Sequence, residues 1–177
     1  MALTIVVETG AIVPNANSYI SIEDMQGFWD NWGYDYSTLT DAQINLLLYS
    51  SAETLDTTYY DNWPGERADD EQYMEWPRSF AYYQDGESID SDEIPVELKK
   101  AQAKICYLIN AGYDLQPIIT TEGTLKSKRE KVDVIETEYA YDSNSSAYIN
   151  QYTSLSLILV RLIGHTGRYG KLRLQRN

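Results

Sequence analysis

Apolar positions in this chain recur at helical spacing in four stretches and alternate in two. Ser21 opens the first helical stretch with Asp24 three residues on, a pairing in which each side chain can satisfy the other's backbone N–H. Met25, Phe28, Trp29 and Trp32 then form its apolar face, and Gly33 ends it. A second helix follows Thr40, with Gln43 as the capping partner and Ile44, Leu47, Leu48, Ser51 and Leu55 along one side. A third is predicted from Pro95 to about Gly112, with Leu98, Ala101, Ile105, Leu108 and Ile109 facing inward and Lys99, Lys100 and Lys104 outward. The last stretch, Tyr148 to Ile163, is apolar nearly all round in its second half and must be buried. Its β-branched content keeps strand open beside helix.

Alternation marks the remaining elements. Leu3, Ile5 and Val7 predict a short first strand closed by Gly10 and the Pro14-Asn15 turn. From Leu125 to Tyr139 one strand or two are expected, with Ile135, Thr137 and Tyr139 on one face and Glu136 and Glu138 on the other. The polar, acidic segment from Asp61 to Glu75, with its Pro64-Gly65 pair, reads as a surface loop, and so does Asp142 to Ser146.

The densest local information lies from Trp76 to Gln102, WPRSFAYYQDGESIDSDEIPVELKKAQ. Pro77 fixes its own φ and biases Trp76 away from helical geometry, so the tryptophan ends an element. Arg78 follows directly, and Asp85-Gly86 supplies a tight turn. Pro95 at a first helical position loses nothing by lacking an N–H, while Asp92, Glu93 and Glu97 place negative charge where the helix dipole is positive.

Composition narrows the function more than the fold. The 177 residues suffice for one domain with its own core, expected over 1–163, followed by an arm over 164–177. The longest apolar run, Leu155 to Ile163, is far below the roughly 20 residues of a membrane span, and a secretory signal is not expected, since the first residues lack a basic start and an apolar core. The 27 acids and 14 bases are unevenly placed. Residues 1–120 hold 21 acids and five bases, whereas 161–177 hold Arg161, Arg168, Lys171, Arg173 and Arg176 with no acid. An acidic body therefore precedes a basic tail.

Catalytic and metal chemistry lack their parts. The one histidine, His165, follows Gly164 with no carboxylate near it to orient the ring, so a nucleophilic triad is not expected. Cys106 lies between Ile105 and Leu108 on a helix and reads as a small core hydrophobe. One cysteine and one histidine do not make a structural zinc site. A calcium loop beginning at Asp90 would place Pro95 where the glycine belongs. Gly164, Gly167, Gly170 and Lys171 do not form a phosphate loop, since Leu172 stands where a Ser or Thr is required. The 16 Tyr and 4 Trp could stack on single-stranded nucleic acid, but that mode needs a basic groove, and residues 1–120 carry the opposite sign. No enzyme activity and no cofactor are expected.

Three segments resemble one family. Val6-Val7-Glu8-Thr9-Gly10 through Pro14-Asn15-Ala16-Asn17-Ser18-Tyr19, the Trp76 block, and Lys126-Ser127 through Glu136-Thr137-Glu138-Tyr139 are similar in order and spacing to the DnaT-like single-strand-binding proteins of tailed phages. Those proteins look like head-tail adaptor, or head completion, proteins. The likeness runs as far as Ile163 and ends after Gly164. It implies a helix for the last apolar stretch, and so a mainly α fold: a compact bundle of three or four helices with a short N-terminal strand, a β segment or hairpin, and a C-terminal arm. It also implies a structural virion protein, a ring beneath the portal that joins head to tail after DNA packaging, with a dodecamer as the usual copy number. Partners would be further copies, the portal, and a tail, stopper or nozzle protein, with DNA passing through unbound, and the location the virion neck after assembly in host cytoplasm. Within that reading Arg168, Tyr169, Lys171, Arg173 and Arg176 are expected to dock on an acidic portal surface, and Ile135, Thr137 and Tyr139 to meet a neighbouring subunit. The rival expectation is a single-stranded DNA-binding replication accessory protein.

Overall fold

The computed structural model describes residues 3–113, 127–132, 135–140 and 145–164, with side chains placed over 3–113 and 154–164. It divides into two compact units, residues 116–154 and the remainder. The described elements are α1 (Ile22–Trp32), α2 (Asp41–Tyr59), a 3-10 turn (Tyr60–Asn62), β1 (Glu66–Arg67), β2 (Arg78–Ser79), α3 (Val96–Asn110), β3 (Ser127–Val132), β4 (Ile135–Ala140) and α4 (Ser145–Ile163). The fold is mainly α, as the periodicity predicts.

Both predicted capping boxes form. The Ser21 hydroxyl accepts from the Asp24 N–H at 3.0 Å and the Asp24 carboxylate accepts from the Ser21 N–H at 3.0 Å. Thr40 and Gln43 repeat the exchange at the start of α2. Gly33 takes the left-handed conformation, φ 71°, that lets its N–H turn back onto the Asp30 and Trp29 carbonyls. Met25 and Trp29 of α1, and Ile44, Leu47, Leu48, Ser51 and Leu55 of α2, are buried as their spacing requires.

The main packing partner of α2 is α3. Two apolar clusters form. One gathers Trp29, Met25, Leu48, Ala103 and Cys106. The other gathers Tyr19, Leu55, Trp63, Trp76, Leu98 and Ile105 with Leu155, Leu159 and Leu162 from the last turns of α4. The face of α4 that carries Leu155, Leu159 and Leu162 is thus buried in the core, whereas Leu157, in a stretch expected to be buried, stands exposed. Trp29 is ringed by Tyr34, Tyr36 and Tyr107, and its indole N–H donates to the Ala103 carbonyl at 2.9 Å.

A buried glutamine stitches the first unit together. Gln102 of α3 accepts from the Tyr19 N–H at 2.9 Å and donates to the Ser18 hydroxyl at 2.8 Å and the Leu48 carbonyl at 3.0 Å. Glu8, also buried, accepts from the N–H groups of Gly10, Ile12 and Val13, closing the loop that follows the N-terminal segment. Burial of these two polar groups is compatible with stability because each has its partners.

Four details depart from the sequence expectation. Leu3, Ile5 and Val7 run extended but make only a single-residue bridge, Val7 to Ser18, because the segment pairs with a loop rather than a second strand. Pro95 is the cap of α3 instead of its first residue, with ψ at 141°. The stretch from Asp61 to Glu75 contributes Trp63, Gln72 and Met74 to the interior and pairs Glu66–Arg67 with Arg78–Ser79. Ser145 and Ser146, expected in a loop, begin α4.

In the second unit β3 and β4 form an antiparallel hairpin in which Val132 faces Ile135, Glu130 faces Thr137 and Lys128 faces Tyr139. Ile135, Thr137 and Tyr139 are therefore alternate positions of β4, on one face of the hairpin. No helix of the described residues is long and apolar enough to cross a membrane.

Candidate functional site

The Trp76–Pro77 corner is where the sequence is most constrained, and its geometry is built by polar contacts. Trp76 is fully buried, edge to face with Trp63 at 6.1 Å between ring centroids, and the Trp76–Pro77 peptide bond is cis. The Trp76 N–H donates to the Tyr19 hydroxyl at 3.2 Å, which donates in turn to Asp56 Oδ1 at 2.6 Å, and Asp56 Oδ2 accepts from the Glu75 N–H at 3.2 Å. Arg78, 8% exposed, donates to the carbonyls of Pro64, Gly65 and Glu75 and pairs with the Glu75 carboxylate at 3.0 Å. Its guanidinium satisfies loop carbonyls that the chain could not otherwise pair.

Asp56 carries the perturbed charge of this network. Burial, with the Glu75 charge adding to it, pushes its carboxyl up to about 7 against the opposing hydrogen bonds from Tyr19 and Glu75 and the more distant Arg78. The folded protein holds this proton more tightly than the unfolded chain does. Asp56 therefore stabilises the fold most below pH ~4, and that contribution is lost as pH rises toward about 7. Urea midpoints measured between pH 4 and 8 are expected to show this component in the wild type and not in Asp56→Asn.

Beside Asp56 lies an open cavity of about 440 Å³. Tyr49, Ala52, Glu53, Asp56 and Thr57 of α2 line it, at the three- and four-residue spacings of one helix face, opposite chain from residues 15–17 and 73–74.

The Asp85-Gly86 turn has a use that composition did not reveal. The Arg161 guanidinium, in the last turn of α4, pairs with Asp85 at 3.2 Å, with Glu97 at 3.4 Å and with Glu87, and lies 3.9 Å from the centroid of the Tyr83 ring. The Gln84 N–H donates to the Arg161 carbonyl at 2.8 Å. Asp85 and Glu87, which read as a solvated turn, hold the end of α4. Gly164 then closes the helix, its N–H on the Val160 carbonyl at 2.9 Å.

Charge is one-sided in the first unit. Its described residues, 3–113 and 155–164, hold 20 acids against six bases, a balance of −14. Four of those bases have partners within the chain: Arg78 and Arg161 as above, Lys104 on the Tyr34 hydroxyl and 4.8 Å from the centroids of the stacked Tyr34 and Tyr107 rings, and Arg67 on the Gln72 carbonyl. Lys99 and Lys100 remain, adjacent on α3.

Of the residues singled out from the sequence, Trp76, Pro77 and Arg78 meet at the corner, Asp85 pairs with Arg161 of α4 while the Gly86 N–H closes the turn on the Tyr83 carbonyl, and Pro95 caps α3. Arg168, Tyr169, Lys171, Arg173, Arg176 and His165 lie outside the described residues. Cys106 is a core residue, its thiol pushed by burial up to about 12 and 3.1 Å from the Ser51 hydroxyl. Among the described residues no three His, Cys, Asp or Glu side chains gather where they could hold a metal ion. Sequence reading missed Asp56, Tyr19, Gln102 and Glu8. Tyr19 and Glu8 stand within the matched opening segment, which was the one signal that could have found them.

No curated protein and no solved structure matches this chain. One family profile does, over residues 3–177, under the description "Putative DnaT-like ssDNA binding protein". With that span, nearly the whole sequence, the chain belongs to the DnaT-like family.

Proposed function

We propose that this protein is a structural subunit of the head-tail neck of a tailed phage, copies of which close into a ring beneath the portal and join capsid to tail after DNA packaging. The observation that carries this reading is the charge of the described residues of the first unit, 20 acids to six bases, with four of the six bases engaged by partners within the chain. Such a surface repels phosphate, so a channel lined by it passes DNA without deep binding minima. A closed ring needs two different patches per copy that meet one another. The alternate β4 positions Ile135, Thr137 and Tyr139 offer one such patch, which would give an apolar and aromatic contact. The tail-side partner would be a tail, stopper or nozzle protein. Negative-stain images of the purified protein, alone and mixed with portal, are expected to show rings, and labelled antibody is expected at the neck of mature particles. Particles with the protein elsewhere would overturn the assignment.

A second reading, a single-stranded DNA-binding replication accessory protein, is favoured by the family's description. It requires counterion release from phosphate by basic side chains, and hence affinity that falls steeply with salt. Titration with fluorescent oligonucleotides separates the two. The chain lacking residues 165–177 is expected to show no measurable binding at physiological salt, whereas micromolar or tighter, salt-sensitive affinity would decide for the accessory protein.

A further inference from the structure

We propose that the cavity beside α2 is a docking site for an arginine or lysine side chain from the C-terminal arm, residues 165–177, of a second copy of this chain. This rests on the ring reading and adds to it the contact between neighbours.

The walls of the cavity suit a cation. Tyr49 and Tyr73 present partly exposed rings, 41% and 62%, and an aromatic face within about 6 Å attracts a guanidinium or ammonium group. Glu53 stands exposed on the same face of α2 as Asp56, one turn before it. Asp56 is bonded only to neutral donors, the Tyr19 hydroxyl and the Glu75 N–H. Arg78, the cation closest to influencing it, is committed to Glu75 and three carbonyls. Each carboxylate oxygen of Asp56 has accepted one hydrogen bond and retains capacity for another. The site therefore offers the Glu53 carboxylate and an Asp56 carboxyl that burial pushes up, and neither is ion-paired among the described residues.

The occupant follows from charge. Identical bodies, residues 1–163 with 27 acids against ten bases, repel, so copies that associate must each bring a positive element to the next. The arm is such an element: Arg168, Lys171, Arg173 and Arg176, with no acid among its 13 residues. It leaves from Gly164, where the Arg161 clamp fixes the end of α4. Thirteen residues span at most roughly 43–47 Å when extended. A guanidinium that reaches the cavity can bind carboxylate bidentately and lie over a tyrosine ring at once. The acidic portal surface expected from the sequence would compete for the same arm; the cavity is an acidic surface that every copy already carries.

Sedimentation of the full chain over a range of salt tests this. The wild type is expected to self-associate, more weakly as salt rises. Glu53→Lys, on an exposed side chain, and the doubly reversed arm Arg168→Glu with Arg173→Glu, are each expected to raise the dissociation constant about tenfold or more, which is ~1.4 kcal/mol. Their circular dichroism should match the wild type. Mixed in equal amounts, the two variants should associate with each other again, because each then offers a charge that fits the other's. A monomeric wild type, unchanged association of either variant, or no recovery on mixing overturns the proposal. If both variants still form rings but lose portal, the arm belongs to the portal and the ring reading stands. Arm-cavity pairing without the protein at the neck would reject the ring reading and leave this inference in place.

Discussion

Trp76→Ala is expected to cost about 3–5 kcal/mol of folding stability, the range for emptying a fully buried tryptophan site. Trp76 is completely enclosed, within the cluster that joins Tyr19, Leu55 and Leu98 to the α4 residues Leu155, Leu159 and Leu162. Alanine would leave a hole that those residues cannot fill without moving the α4 end that the Asp85 turn also holds. The corner N–H still needs the Tyr19 hydroxyl, so the backbone is pinned while its packing is removed. For a chain of this size the midpoint of thermal unfolding should fall by roughly 10 °C. Urea denaturation followed by far-UV circular dichroism measures the loss. Trp76→Phe keeps most of the ring volume and should cost less than half as much; equal losses in the two variants would show that volume is not what the site needs.

Gly10→Ala is expected to cost about 2–5 kcal/mol, from a strained backbone conformation and from overlap with a neighbouring chain segment. Gly10 has φ 103°, and a methyl group there would lie 1.7 Å from the Asp92 carbonyl oxygen and 2.5 Å from its carbon. Backbone cannot swing aside as a side chain can. The loop of residues 8–13 would have to leave the turn before α3, and the three N–H groups held by the buried Glu8 carboxylate would shift with it. Gly33→Ala is the comparison, since Gly33 also has positive φ, 71°, yet nothing lies within 4 Å of its added methyl. That change should cost only about 1 kcal/mol, the conformational part alone. Chemical denaturation of both variants separates strain from contact. If the two lose the same stability, close approach of Gly10 to Asp92 is not what makes the glycine necessary.

Local structure is legible along the chain. Ser21 with Asp24, Thr40 with Gln43, Gly33 after Trp32 and Gly164 after Ile163 set helix ends from contacts within a few residues, and the ends appear where the pattern places them. The apolar stripes of α1, α2 and α3 likewise fixed which faces are buried, because side-chain direction follows from helical period alone. The inert, buried state of Cys106 follows in the same way. The polar interior depends on which segments meet once the chain has folded. Nothing near Gln102 and Glu8 in sequence shows that the Tyr19 N–H, the Leu48 carbonyl and the loop of residues 10–13 will need partners there. Arg161 counted as the start of a basic tail, and Asp85 and Glu87 as a solvated turn, until folding joined residues more than 70 positions apart into one clamp. Trp63 and Met74 left a polar stretch for the core by the same route, and Asp56 acquired its raised proton affinity only where α2, Tyr19 and the Trp76 corner exclude water together. Desolvation and long-range hydrogen bonding depend on which segments meet in space, and no periodicity along a single chain records that.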